Sequence, residues 1–224
     1  MRNNQITGQD YQLTWSDFLA QPPRNPGSRA AFTSATFSIN FTINSNEEPL
    51  DPVVARALQR TTVRPPAAAQ RGTPTFSPDD VRVRVSPDRA RMWSVVSART
   101  PALLAHEQGH YSIVALIAQN LWYDLLSPPN LMTATNPDDL FGPAGTFTDR
   151  AAAQTWANGK TSEARALIAR LESGNGRDGV YDTQTNHGLN TAVQANWNRA
   201  FFLASSQGSG MRFTLALRSV GISI

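Results

Sequence analysis

Residues His106-Glu107-Gln108-Gly109-His110 place two imidazoles four positions apart with a carboxylate next to the first. On a helix, positions i and i+4 share a face, so both rings can reach one metal ion while Glu107 is aimed beside it. A catalytic zinc takes three protein ligands and keeps a fourth position for water, whose proton a nearby carboxylate can remove. In that chemistry His106 and His110 are metal ligands. Glu107 is the general base that activates water and then passes the proton to a leaving amine. The reaction implied is amide hydrolysis without a covalent intermediate. The chain holds three histidines in 224 residues, so His187 is the natural candidate for the remaining ligand.

Other third ligands are conceivable from the residues. The metzincin pattern would need glycine at position 113 and histidine at position 116, where this chain has Ile113 and Leu116. A downstream carboxylate ligand would be Glu163 or Asp182. Glu163 lies in a Ser-Glu-Ala-Arg context that reads as a solvated helix face. His187 is favoured because imidazole suits zinc and the other two histidines are already committed. Just ahead of it, Tyr181 is a candidate donor to a developing oxyanion, and Asp182 a candidate to orient a ligand imidazole from behind. The structural alternative is that Tyr181 and Asp182 only cap and brace their loop. Thr185 and Gln194 are weaker candidates for supporting the ligands. Tyr111, Trp122, Trp156 and Trp197 read as packing residues.

The elements that must position these groups follow from pattern. Thr100 can cap a helix that starts at Pro101 and runs without a breaker, apart from Gly109, to about Leu126, where Ser127-Pro128-Pro129 stops it. A second helix is expected over about Asp149 to Glu172 and a third from Leu189 to about Ser206. Before them, alternating Ala35, Phe37, Ile39, Phe41 and Ile43 predict a strand with one wet face. Tyr11 to Trp15 reads as a short strand, and Asp51 to Leu58 as a short helix. Pro65 to Pro78 reads as a loop, and Val81 to Val85 with Met92 to Val96 as a hairpin. The tail alternates Phe213, Leu215 and Leu217 and reads as a closing strand over 211–224. The expectation is one α+β domain over 1–224, mostly β over 1–96 and mostly α over 97–206, with a mainly antiparallel sheet against the active-site helix and two further long helices.

Composition narrows the function classes. With no cysteine, thiolate nucleophiles, disulfides and cysteine-ligated metals are excluded, so any metal sits on nitrogen and oxygen. The net charge of +3 comes from scattered arginines beside the single lysine, Lys160, and no basic stripe suited to nucleic acid is present. No run is long and apolar enough to span a bilayer. Residues 1–10 have no apolar segment of the kind that directs secretion.

Three stretches together carry a family likeness: Leu13-Thr14-Trp15-Ser16-Asp17-Phe18, the Leu103 to His110 core, and Tyr-Asp-x-x-Thr-x-His-Gly at Tyr181 to Gly188 with Gln194 and Trp197 after it. The chain resembles a bacterial family of predicted secreted zinc-dependent proteases, roughly from Tyr11 to the third helix. It departs from that pattern over Pro65 to Pro78 and at Gly109, where a larger apolar residue is usual. The resemblance implies a zincin-like metallopeptidase with His106, His110 and His187 on Zn2+, Glu107 as base, a peptide or protein substrate, and a secreted or periplasmic location. Cytoplasmic residence or signal-independent delivery is the competing location. Two rivals differ in function: a zinc-stabilised binding or accessory module that hydrolyses nothing, and an effector or toxin protease with the same chemistry and another destination.

Overall fold

The computed structural model describes residues 4–27, 29–46, 75–126, 147, 149–174, 177–205, 208 and 211–224. Strands β1 (Gln5–Thr7), β3 (Ala35–Asn46) and β4 (Thr75–Pro87) form one sheet in the order β1-β4-β3. β3 and β4 are antiparallel, with Phe37 opposite Val85, Ile39 opposite Val83 and a register shift between Asn40 and Thr42, whereas β1 joins the other edge of β4 in parallel. The alternation seen in sequence is the pleat. Val81, Val83 and Val85 are buried against the helices while Arg82 and Arg84 face out.

Against that face lies α1 (Pro101–Leu126), begun by a hydrogen bond from Leu103 N to the Thr100 hydroxyl. From His106 to Leu125 most of its residues are buried, on all sides rather than along one stripe, because other elements enclose it. The sheet covers one side, and α2 (Arg150–Leu171), α4 (Thr191–Ala204) and α5 (Phe213–Ser219) cover the others. Between α2 and α4 the chain makes the two-residue strands β6 (Ser173–Gly174) and β7 (Arg177–Asp178) and the short helix α3 (Val180–Thr185). One apolar cluster draws on the sheet and these helices together. The architecture is α+β, and no helix among the described residues is long and apolar enough to cross a membrane.

Four expectations change. The tail is helical over Phe213–Ser219, not a closing strand: Phe213, Ala216 and Leu217 are buried at i, i+3 and i+4 spacing. The buried amide of Asn120 accepts from Phe213 N at 2.9 Å and starts that helix. Residues 93–94 do not form a hairpin with Val81–Val85. Both edges of β4 are taken by β1 and β3, so β5 (Trp93–Ser94) pairs instead with β2 (Ala31–Phe32). Tyr11 to Trp15 is not a strand either. Its polar backbone groups go to side chains, Leu13 N to Gln108 Oε1 at 2.7 Å, Gln108 Nε2 to Tyr11 O at 3.1 Å and Thr14 N to Asp17 Oδ2 at 2.8 Å. Thr75 to Pro78, expected as loop, belongs to β4, while the rest of that loop to residue 74 and the helix expected over Asp51 to Leu58 lie outside the described residues.

Candidate metal centre

His106, Glu107 and His110 lie on the middle of α1, all buried, at the floor of a cleft of about 860 Å³. The stretch from Ala31 to Phe37 also lines it. The two imidazoles stand 4.9 Å apart, centre to centre, as one helical turn requires. Asp182 reaches them from α3. Its Oδ1 is 3.1 Å from His106 Nε2 and 3.0 Å from His110 Nε2, and the three donors lie within 4.8 Å of one another.

The outer nitrogens fix the ring orientations. His110 Nδ1 faces Glu172 Oε2 at 2.8 Å, at the C-terminal end of α2. His106 Nδ1 faces Gln194 Oε1 at 3.0 Å, from α4, while the amide nitrogen of Gln194 is engaged by Tyr181 Oη and Asn198 Oδ1. Both partners are acceptors, so each Nδ1 carries a hydrogen; each Nε2 then either donates a second hydrogen to Asp182 or turns a lone pair to a cation held beside it. Two imidazole nitrogens and a carboxylate oxygen thus converge. Such a set is satisfied by protons on the rings or by a cation among the three groups, and its donors suit a divalent metal ion. Two ligand atoms on one tetrahedral zinc, with bonds of about 2.0–2.1 Å, stand roughly 3.3 Å apart, close to the separations found here.

Charges act in the same sense. Burial opposes ionisation of His110, yet the carboxylates of Glu172 and Asp182 outweigh it and hold the ring well above the ordinary imidazole range. Asp182 is likewise buried, but hydrogen bonds from His106 and His110 hold its carboxyl far below the usual range. Glu107 is 3% exposed and lines the cleft, and its Oε2, like Oε1 of Glu172, has no hydrogen-bond partner among the described residues; unlike Glu172, it is not bonded to a ring nitrogen of either α1 histidine. An unpartnered buried carboxylate oxygen is costly unless it serves something that binds there.

The remaining sequence candidates fall in different places. His187 also lines the cleft and approaches the same Asp182 oxygen as the α1 rings but from farther off, with Nδ1 3.6 Å from Asp182 Oδ1, and its Nε2 is 3.3 Å from Asp178 Oδ2. The position between the two α1 imidazoles is taken by Asp182, a carboxylate alternative to His187 in the sequence. Tyr181 is not at the cleft. It is fully buried, stacked 4.8 Å from His106, with its hydroxyl bonded to His106 O at 3.1 Å and to the Gln194 amide. That hydroxyl is consumed inside the protein, and burial pushes its pKa further up, so Tyr181 positions His106 rather than donating to an oxyanion. Thr185 is buried and bonds back to Tyr181 O, bracing α3. Glu163 is exposed and pairs with Lys160 at 3.0 Å, away from the centre.

Two supports escaped the sequence reading. Glu172 carried a signal, since an acidic residue at a helix C-terminus opposes the helix dipole and needs another reason to be there. Gly188, at φ +82°, lets the turn after α3 lie against His106, where an added Cβ would stand 3.0 Å from His106 Cβ. No family model matches the chain, and neither a curated protein nor a solved structure does.

Proposed function

We propose that this protein is a zinc-dependent endopeptidase with His106, His110 and Asp182 as metal ligands and Glu107 as general base. The observation that carries the reading is the convergence of the Nε2 atoms of His106 and His110 and one carboxylate oxygen of Asp182, near a buried Glu107 oxygen without a partner among the described residues. Zinc held by those three groups supplies a Lewis acid that acidifies water and polarises a carbonyl. Glu107 then accepts the proton of the attacking water as its oxygen bonds to the scissile carbonyl carbon. The same carboxylic acid returns the proton to the amide nitrogen as the C–N bond breaks. Glu172 and Gln194 keep both rings turned with Nε2 inward, and Tyr181 holds the His106 ring and its backbone in place. A purely structural zinc needs no base and closes its fourth position, so Glu107 favours the hydrolase over the zinc-stabilised module.

Purified protein loaded with zinc should cleave internal peptide bonds in an unstructured protein or a quenched fluorogenic peptide library. A chelator should abolish that activity, and added Zn2+ should restore it. Zinc-loaded protein that is inert toward all such substrates would favour the binding module instead.

The charge balance also fixes a pH dependence. Without metal, His110 is protonated more readily when folded than when unfolded, where its value is about 6.5. Its contribution to stability is therefore complete below that value and is lost as pH rises through the folded one. Zinc needs a bare Nε2, so its binding strengthens over the same rise. The melting temperature of chelator-treated protein should fall from about pH 6 to about pH 8.5, and the gap to the zinc-loaded protein should widen. A gap that stays constant over that range would contradict the assigned ligand role of His110.

A further inference from the structure

Asp178, Asp182 and His187 form another group of donors beside the first, again within 4.8 Å of one another. They come from one stretch of chain: β7 ends at Asp178, α3 carries Asp182, and the turn that closes α3 carries His187. That turn is left-handed at three successive residues, Asn186, His187 and Gly188, at φ 48°, 52° and 82°. It swings the His187 ring back over the start of its own helix, between the two aspartates. At 3.3 and 3.6 Å these contacts are ion-pair distances, and neither ring nitrogen makes a hydrogen bond among the described residues. Asp178 directs Oδ1 to Arg29 at 2.6 Å and keeps Oδ2 for the ring side. All three donors line the cleft that contains Glu107.

We propose that Asp178, Asp182 and His187 form a second divalent-cation site, so that the cleft takes two metal ions bridged by the carboxylate of Asp182. Oδ1 of Asp182 lies 3.1 and 3.0 Å from the α1 imidazoles and 3.6 Å from His187 Nδ1, and a carboxylate oxygen has acceptor positions enough for an ion toward each group. One imidazole with two carboxylates suits zinc or manganese. Two-metal sites hold their ions about 3.5–4 Å apart, a spacing that one bridging carboxylate spans. The second site binds more weakly than the first, because Asp178 is exposed and already half neutralised by Arg29. It rests on the proposed function only in sharing Asp182, and it stands whether or not the protein hydrolyses peptides.

Calorimetric titration of metal-free protein with Zn2+, and separately with Mn2+, tests it, together with elemental analysis after desalting. The wild type should bind two equivalents of Zn2+ in two affinity steps. His187→Asn, whose side chain tolerates the left-handed backbone, and Asp178→Asn should each lose the weaker step and keep the tighter one within about tenfold. His110→Ala should lose the tighter step. Circular dichroism checks that each variant is folded. One equivalent in the wild type, or two that survive both substitutions, overturns the second site. So does loss of all binding in His187→Asn, which would make His187 a ligand of the first centre. Failure of the hydrolase reading would appear separately, as zinc bound without turnover.

Discussion

Glu107→Gln is expected to slow peptide hydrolysis by about 10²–10⁴-fold while leaving bound zinc unchanged. Glutamine has the same shape, and Glu107 Oε2 makes no hydrogen bond among the described residues, so no described hydrogen bond of that atom is broken. The substitution also removes a negative charge buried to 3% exposure, so the variant should melt no lower than the wild type. What it removes is the proton acceptor. The loss should appear in kcat and in kcat/KM alike, because the interaction exists only as the water is deprotonated. Elemental analysis on the assayed sample separates this outcome from loss of the metal. A zinc-loaded variant that keeps the wild-type rate would end the assignment of Glu107 as base.

Gly109→Ala should destabilise the fold by on the order of 2–4 kcal/mol. A Cβ at this position would stand 2.0 Å from Tyr181 Oη and 2.6 Å from Cζ. Tyr181 cannot step aside, since its ring is packed against His106, His110, Trp197 and Phe201. Displacing a fully buried aromatic ring costs about 3–5 kcal/mol, and alanine in place of a helical glycine returns up to about 1 kcal/mol. For a chain of this size the expected fall in melting temperature is about 4–16 °C. Tyr181 also braces His106 and Gln194, so zinc affinity should fall with it. The double variant Gly109→Ala/Tyr181→Leu should be clearly less destabilised than the sum of the single ones. Strict additivity would show that the clash is not the cause.

The glycine illustrates what was legible in the sequence and what was not. That a glycine sits inside the helix at position 109 could be read from the chain alone. The reason could not, because Tyr181 lies 72 residues away and only the packed fold brings its hydroxyl onto α1. Helix α1 was readable to its ends, since Thr100-Pro101 and Ser127-Pro128-Pro129 are local signals and the run between them lacks proline. The strand Ala35–Asn46 was readable from its two-residue period for the same reason. Residues 93–94 were mispaired because partner choice depends on which edges of β4 remain free, and that is settled by β1 far upstream. In the tail, apolar residues at 213, 215 and 217 fit a strand as well as a helix. The buried Asn120 that caps Phe213 decided between them.

The centre divides along the same line. His106, Glu107 and His110 sit within five residues, so helical geometry alone brings them together. Asp182 and His187 are both within reach by sequence, and chemistry favours imidazole for zinc. The left-handed turn after α3 sets His187 between Asp178 and Asp182, while Asp182 Oδ1 stands nearer the α1 rings. Backbone conformation at Asn186 and His187, for which the residue types give only a weak signal, thus sets where each candidate stands.

The most direct test of the whole account is a crystal structure of the zinc-soaked protein with anomalous scattering recorded at the zinc edge. The account predicts an anomalous peak bonded to Nε2 of His106, Nε2 of His110 and the carboxylate of Asp182, with Glu107 beside the ion but outside its coordination. Rings bound through Nδ1, or no peak between them at full zinc occupancy elsewhere in the crystal, would contradict it.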